Sequence, residues 1–188
     1  MPKELVKRVY HSPPYSQDEL PNLNLGRGVG NVVQNFVPNN YNYNGSNTRP
    51  GVEISALRTN ITTTVDNSRI LWRLYMVFEV HQDNVFVLQR VANGVTTEIG
   101  SGNPAGSSAY GFAVAPYSHG GNNNSTPNFL DCVFLDEPNL PEGTNISYRI
   151  RRYGNNTGTF FLNRSANGRL DPAYERGSSS VILTEILV

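Results

Sequence analysis

From residue 52 onward the chain is written in short runs of alternating apolar and polar positions, separated by Gly, Asn, Pro and Ser. The longest is Ile70 to Val80, where Ile70, Trp72, Leu74, Met76, Phe78 and Val80 fall on one face while Arg73 and Glu79 mark the other. A period of 2 is that of a strand with one buried face. The tetrad His81-Gln82-Asp83-Asn84 reads as a turn and Val85 to Val91 as another strand, so this pair is expected to form a hairpin. Ala92-Asn93-Gly94 is a strong turn signal leading into a short strand, Val95 to Ile99. Further candidate strands are Val52 to Leu57, Asn60 to Val65, Ala109 to Ala115, Phe129 to Leu135, Asn145 to Arg152, Thr159 to Leu162 and Ser180 to Leu187. No segment carries a helical stripe. About eight to ten strands joined by Gly-rich turns predict an all-β, antiparallel β-sandwich, for which a jelly roll is the best fit.

Residues 1 to 50 break this pattern. They hold Pro13-Pro14, Pro21, Pro38 and Pro50, the cluster Gly26-Arg27-Gly28-Val29-Gly30, and Asn39-Asn40-Tyr41-Asn42-Tyr43-Asn44. Neither a period of 2 nor one of 3.6 persists, yet the stretch is too apolar for a free linker. It is expected to be an extended N-terminal arm that orders by lying along its own domain, residues 51 to 188, or along a neighbouring subunit. Its candidate attachment residues are Lys3, Lys7, Arg8, Tyr10, Tyr15, Leu20, Leu25, Val33 and Phe36.

Two strands are apolar on both sides. In the last one Val181, Leu183 and Leu187 share a face, while Ile182, Ile186 and Val188 occupy the other; in the long one Leu71, Tyr75 and Val77 lie opposite the Trp72 row. A two-layer sandwich covers one face only. The second must meet the arm or another subunit, which makes Leu71, Tyr75, Val77, Ile182, Ile186 and Val188 candidate interface residues.

Charge narrows the function classes. Fifteen basic and fifteen acidic residues cancel, so the overall field favours neither nucleic acid nor an anionic membrane. No apolar run approaches the roughly 20 residues of a membrane helix, and the N-terminus lacks the apolar segment of a signal peptide, so the chain is expected to be soluble and not exported by that route. Cys132 is the only cysteine, which excludes an intrachain disulfide and a Cys-based zinc site, and its apolar surroundings predict an inert thiol. No Gly-x-Ser-x-Gly occurs, and His11, His81 and His119 show no metal-ligand spacing. Asp131, Asp136, Glu137 and Glu142 read as solvated loop charges. The glycine cluster lacks the ending of a phosphate loop and reads as flexible arm glycines. Arg149, Arg151 and Arg152 are split by strand alternation, which favours pairing with acidic residues over nucleic-acid binding. No catalytic residue, metal or cofactor is expected.

The long neutral loops around 100–108 and 118–126 are rich in small hydrogen-bonding side chains. With Tyr110 and Tyr117 beside Asn103, His119, Asn122, Asn123 and Asn124, they are candidate ligand loops for a glycan.

The end of the chain carries the most specific pattern: Phe161-Leu162-Asn163-Arg164-Ser165, then Asp171-Pro172-Ala173-Tyr174-Glu175-Arg176-Gly177-Ser178-Ser179-Ser180-Val181-Ile182-Leu183-Thr184-Glu185-Ile186. This resembles the C-terminal signature of jelly-roll structural proteins of tailed phages, cyanophages especially, and of large algal viruses. The resemblance covers roughly residues 52 to 188. It implies a trimeric jelly roll, similar to tumour-necrosis-factor or complement C1q heads, displayed on a virion. Physically, Asn163, Arg164, Asp171, Glu175 and Arg176 are expected to form a hydrogen-bonded, charge-paired structural loop before the last strand, with Gly177 in a positive-φ turn. The function expected is a capsid decoration or cement protein, a homotrimer attached by its arm to the major capsid protein or other virion proteins. A host-recognition knob that binds surface glycans at a tail or fibre tip is the alternative, and a virion glycan hydrolase a weaker one.

Overall fold

The computed structural model describes residues 28–80, 83–102, 106–115, 126–155, 157–167, 170 and 175–188. In chain order its strands are β1 (Val29–Val37), β2 (Tyr41–Tyr43), β3 (Val52–Glu53), β4 (Thr59–Thr62), β5 (Arg69–Glu79), β6 (Asn84–Ala92), β7 (Val95–Ile99), β8 (Ala113–Val114), β9 (Asn128–Asp136), β10 (Asn145–Gly154), β11 (Phe160–Leu162) and β12 (Ser179–Ile186). One sheet runs β1-β12-β5-β9, with β11 and β2 continuing it beside β5; the other runs β3-β10-β6-β7, with β4 on β10 and β8 on β6. All pairings are antiparallel. The chain passes repeatedly from one sheet to the other, and its first and last long strands pair side by side, as in a jelly roll. No helix of the described residues is long and apolar enough to cross a membrane.

The core lies between the sheets. Ile70, Trp72, Leu74, Met76 and Phe78 of β5 face Phe86 and Leu88 of β6 and Ile146, Tyr148 and Ile150 of β10, all buried. Phe78 stacks on Phe160 at 5.6 Å and meets Phe86 edge-on at 5.2 Å.

That packing overturns the expected β5–β6 hairpin. β5 pairs with β12, β11 and β9, and β6 with β10, β7 and β8, so the connection between them crosses from one sheet to the other. Two strands whose apolar rows must meet across a core cannot lie side by side in one sheet. The β6–β7 connection is a hairpin: Asn93 and Gly94 take φ of 50° and 76°, the left-handed pair that matches strand twist.

The stretch expected to be an arm over residues 1 to 50 also reads differently. Val29–Val37 is a strand of the first sheet, in register with β12 from Val32↔Thr184 to Val37↔Ser179. Its Asn35 Nδ2 donates to the carbonyls of Ala56 and Arg58, and Asn31 Nδ2 donates to that of Thr62, closing one side of the sandwich. Polar residues between the apolar ones hid the strand, because each asparagine serves a specific carbonyl rather than solvent. Gly30 is not a flexible hinge: a Cβ there would run into the Glu185 carboxylate and Thr64 Oγ1. Lys3, Lys7, Arg8, Tyr10, Tyr15, Leu20 and Leu25 lie outside the described residues, while Val33 and Phe36 belong to β1.

Candidate subunit interface

The outward face of the first sheet is mainly apolar across four strands. Register sets its cross-strand rows: Val32, Thr184, Leu71 and Leu135; then Gln34, Ile182, Arg73 and Val133; then Phe36, Ser180, Tyr75 and Asp131; then Val77 and Phe129. Val29, Val32, Phe36, Phe129 and Val133 are 58–68% exposed, and Tyr75 and Leu135 are exposed as well. Tyr75 stacks on Phe129 at 6.4 Å. In the middle, Arg73 Nη2 reaches Asp131 Oδ2 at 3.1 Å. A mainly apolar exposed face of this extent is the mark of an interaction site more than of a solvated surface.

Of the interface residues expected from alternation, Leu71, Ile182 and Ile186 are half-buried on this face, Tyr75 is exposed on it, and Val188 is exposed just past β12. Val77 differs. It is buried, because Gly177 lies directly on it, so close that a Cβ at 177 would approach its γ-carbons to 2.8 and 2.9 Å. The contributions of β9 and β1 were missed. In the run Phe129 to Leu135, Leu130, Cys132 and Phe134 pack on the core while Phe129, Val133 and Leu135 point outward; with apolar residues on both sides, the run conceals which half faces which way.

The loop before β12 is organised by Asn163, which is fully buried. It holds a φ of 64°, the left-handed value expected of Gly177, which itself lies outside that region. Asn163 N donates to Val77 O, and Gly177 N donates to Asn163 O. Arg164 bridges to Arg176 in backbone pairing, donates to Asn42 Oδ1 at 2.9 Å, and lies over the Phe161 ring at 4.6 Å. Burial lowers the Arg164 pKa, as does the nearby Arg176, against the pull of Glu79. Glu175 accepts from Thr126 Oγ1 at 2.8 Å, and buried Glu79 accepts from Ala166 N. The loop is therefore pinned by amide, hydroxyl and aromatic partners. Asp171 lies outside the described residues.

Besides Glu79, the charged groups Asp136, Glu185 and Arg152 are buried among the described residues. Asp136, expected in solvent, is buried and accepts from Arg90 at 2.7 Å and from Tyr148 Oη at 2.6 Å, tying the two sheets together. Burial, with the Asp136 charge, drives the Tyr148 pKa far up. Glu185 is buried at the β1 edge, where Asn31 N, Thr64 N and Thr64 Oγ1 donate to it. Arg152 is buried on the inner face beside Phe86 in the β10–β6 register, and burial pulls its pKa down to about 10. Arg151, on the outer side, donates to Gly51 O and lies 3.8 Å from Glu53.

At the other sheet's outer side, Arg49 lies 3.5 Å over the Tyr110 ring, donates to Tyr110 O and Tyr153 Oη, and pairs with Glu98. Tyr153 packs with Val85 and Val87, and Arg49 occupies one face of the Tyr110 ring that a glycan would need. Beside it are two adjoining grooves of about 550 and 390 Å³ of mixed polar and apolar lining, which share Ala109 and Asn155. Asn103, Tyr117, His119, Asn122, Asn123 and Asn124 lie outside the described residues, as do His11 and His81. No group of three metal-ligating side chains occurs among the described residues. A cavity of about 240 Å³ opens behind β9, lined by Trp72, Leu88, Phe112, Cys132 and Phe134.

No family model matches the chain, and no curated protein does. Among solved structures it is similar in shape to a chain of the infectious bursal disease virus Gt strain, at 14% identity and a TM-score of 0.41, over 87% of this chain and 39% of that one. It is likewise similar to the VP2 subviral particle of the same virus, at 12% identity and a TM-score of 0.38, over 84% and 41%. The chain thus spans about two fifths of the length of these relatives in shape.

Proposed function

We propose that this chain is a virion structural protein of the decoration or cement kind, which associates with copies of itself through the outward face of its first sheet. The observation that carries the reading is that face: Val32, Phe36, Tyr75, Phe129, Val133 and Leu135 all stand exposed on strands β1, β5 and β9 of one sheet. Apolar area of that extent is a cost to a free monomer and a driving force once two copies meet. The resemblance of the Asn163 to Ile186 segment to jelly-roll virion proteins supplies the setting, and with it a homotrimer. Residues 1–27 then attach the assembly to the major capsid protein or another virion protein.

Two measurements test this. Sedimentation of the purified chain gives a trimer, and Phe129→Asp with Val133→Asp gives a folded monomer; a monomeric parent protein refutes the self-association. Removing residues 1–27 abolishes binding to empty capsids while leaving the trimer intact; unchanged capsid occupancy refutes the attachment.

The two grooves favour a second reading, a glycan-binding knob at a tail or fibre tip. Replacing Ser107, Ser108 and Asn155 together lowers host adsorption under this reading, and normal adsorption refutes it.

A further inference from the structure

We infer that the ion pair Arg73–Asp131 sets the register and the stoichiometry of self-association, an inference that rests on reading the outward sheet face as the subunit contact. Arg73 stands on β5 between Ile182 of β12 and Val133 of β9, and Asp131 stands one row along, opposite Tyr75. The pair is thus set among mainly apolar side chains. The other ion pair of the same two strands, Arg69–Glu137, lies at their end.

Each member of the central pair is about half exposed in the single chain, 57% and 44% by side chain, so the pair contributes little there. Its effect appears on burial. Contact between apolar faces is non-directional and tolerates many registers. Within the chain the two meet through Nη2 and Oδ2 alone, which leaves the remaining guanidinium N–H groups and carboxylate lone pairs to be met by a neighbouring copy, so every arrangement that buries them unmet is penalised. A single polar residue selects register and oligomer state in coiled coils by the same logic. The pair also identifies the occupant of the face. One positive and one negative charge among mainly apolar residues is a pattern that copies of this chain complement: around a trimer one neighbour offers its carboxylate to Arg73 and the other its guanidinium to Asp131.

The test compares the parent full-length chain with four variants by native mass spectrometry and sedimentation over a wide concentration range. Emission from Trp72, the only tryptophan and a buried one, checks the fold. Arg73→Leu alone and Asp131→Leu alone each weaken association at least tenfold, because each strands the opposite charge. Arg73→Leu with Asp131→Leu associates as tightly as the parent or more so, but as a mixture of stoichiometries. Arg73→Asp with Asp131→Arg restores one species of the parent size. A doubly Leu-substituted protein that forms the same single species as the parent overturns the inference, and so do single variants of unchanged affinity. A parent protein that stays monomeric at every concentration overturns the underlying reading of the face instead, so the two failures are distinct.

Discussion

Ser179 Oγ donates to Asn163 Oδ1 at 2.6 Å, and the same Asn163 side chain donates to Val37 O at 2.7 Å and Asn39 O at 2.8 Å. Ser179 Oγ also accepts from Val77 N at 2.9 Å. One buried amide therefore joins the end of β1, the approach to β2, the middle of the sheet and the start of β12. Asn163→Ala is expected to destabilise the fold by about 3 kcal/mol or more, since buried polar groups lose partners and alanine resists the left-handed backbone. Asn163→Gly, which relieves only the backbone, is expected to cost less. Urea denaturation of both variants measures the difference.

Glu185 gives the acid limb of stability. Burial raises its pKa, but the donors from Asn31 and Thr64 outweigh this and hold the carboxyl below the usual range. A carboxylate whose folded pKa is depressed contributes stability in full above its unfolded pKa of about 4.3, and that contribution is lost as pH falls through the folded value. The urea midpoint of the parent protein is expected to fall on acidification below about pH 4.3. Glu185→Gln is expected to be less stable at neutral pH and to show a flatter acid limb.

The two buried arginine neighbourhoods should respond in opposite ways. Asp136→Ala leaves Arg90 and Tyr148 without their shared acceptor inside the sandwich and is expected to cost about 3–5 kcal/mol. Arg152 donates from Nη2 to Gly158 O at 2.6 Å, but its Nε and Nη1 are buried without a partner among the described residues. Arg152→Met keeps the packing and removes the buried charge, so it is expected to be neutral or to stabilise by about 1–2 kcal/mol. Thermal unfolding of the two variants, monitored in parallel, decides both.

Cys132 lines the cavity behind β9 and is half-buried. Burial raises its thiol pKa, and the neighbouring Asp131 raises it further. Alkylation by iodoacetamide near neutral pH is expected to be at least about tenfold slower than for a free cysteine peptide, and to speed up as pH rises. A rate equal to the peptide's would mean the thiol stands in open water.

What was legible in the chain is what is local. The alternation of Ile70 to Phe78 marks a strand with one buried face wherever that strand is placed, and Asn93-Gly94 dictates its hairpin through backbone sterics alone. Hence the all-β class, most strands and the two-faced character of β5 and β12 could be read in advance. The choice of partner is not local. Whether β5 lies beside β6 or across the core from it depends on which rows of side chains interlock, and β1 could be recognised only once β12 lay beside it, with Asn31 meeting a carbonyl of β4 and Asn35 two carbonyls of the turn before β4. The outward face follows the same rule. Sequence determined that a second apolar side exists, whereas the tertiary structure decided that Phe36, Tyr75, Phe129 and Val133 share it, because only hydrogen-bond register brings distant strands into one row.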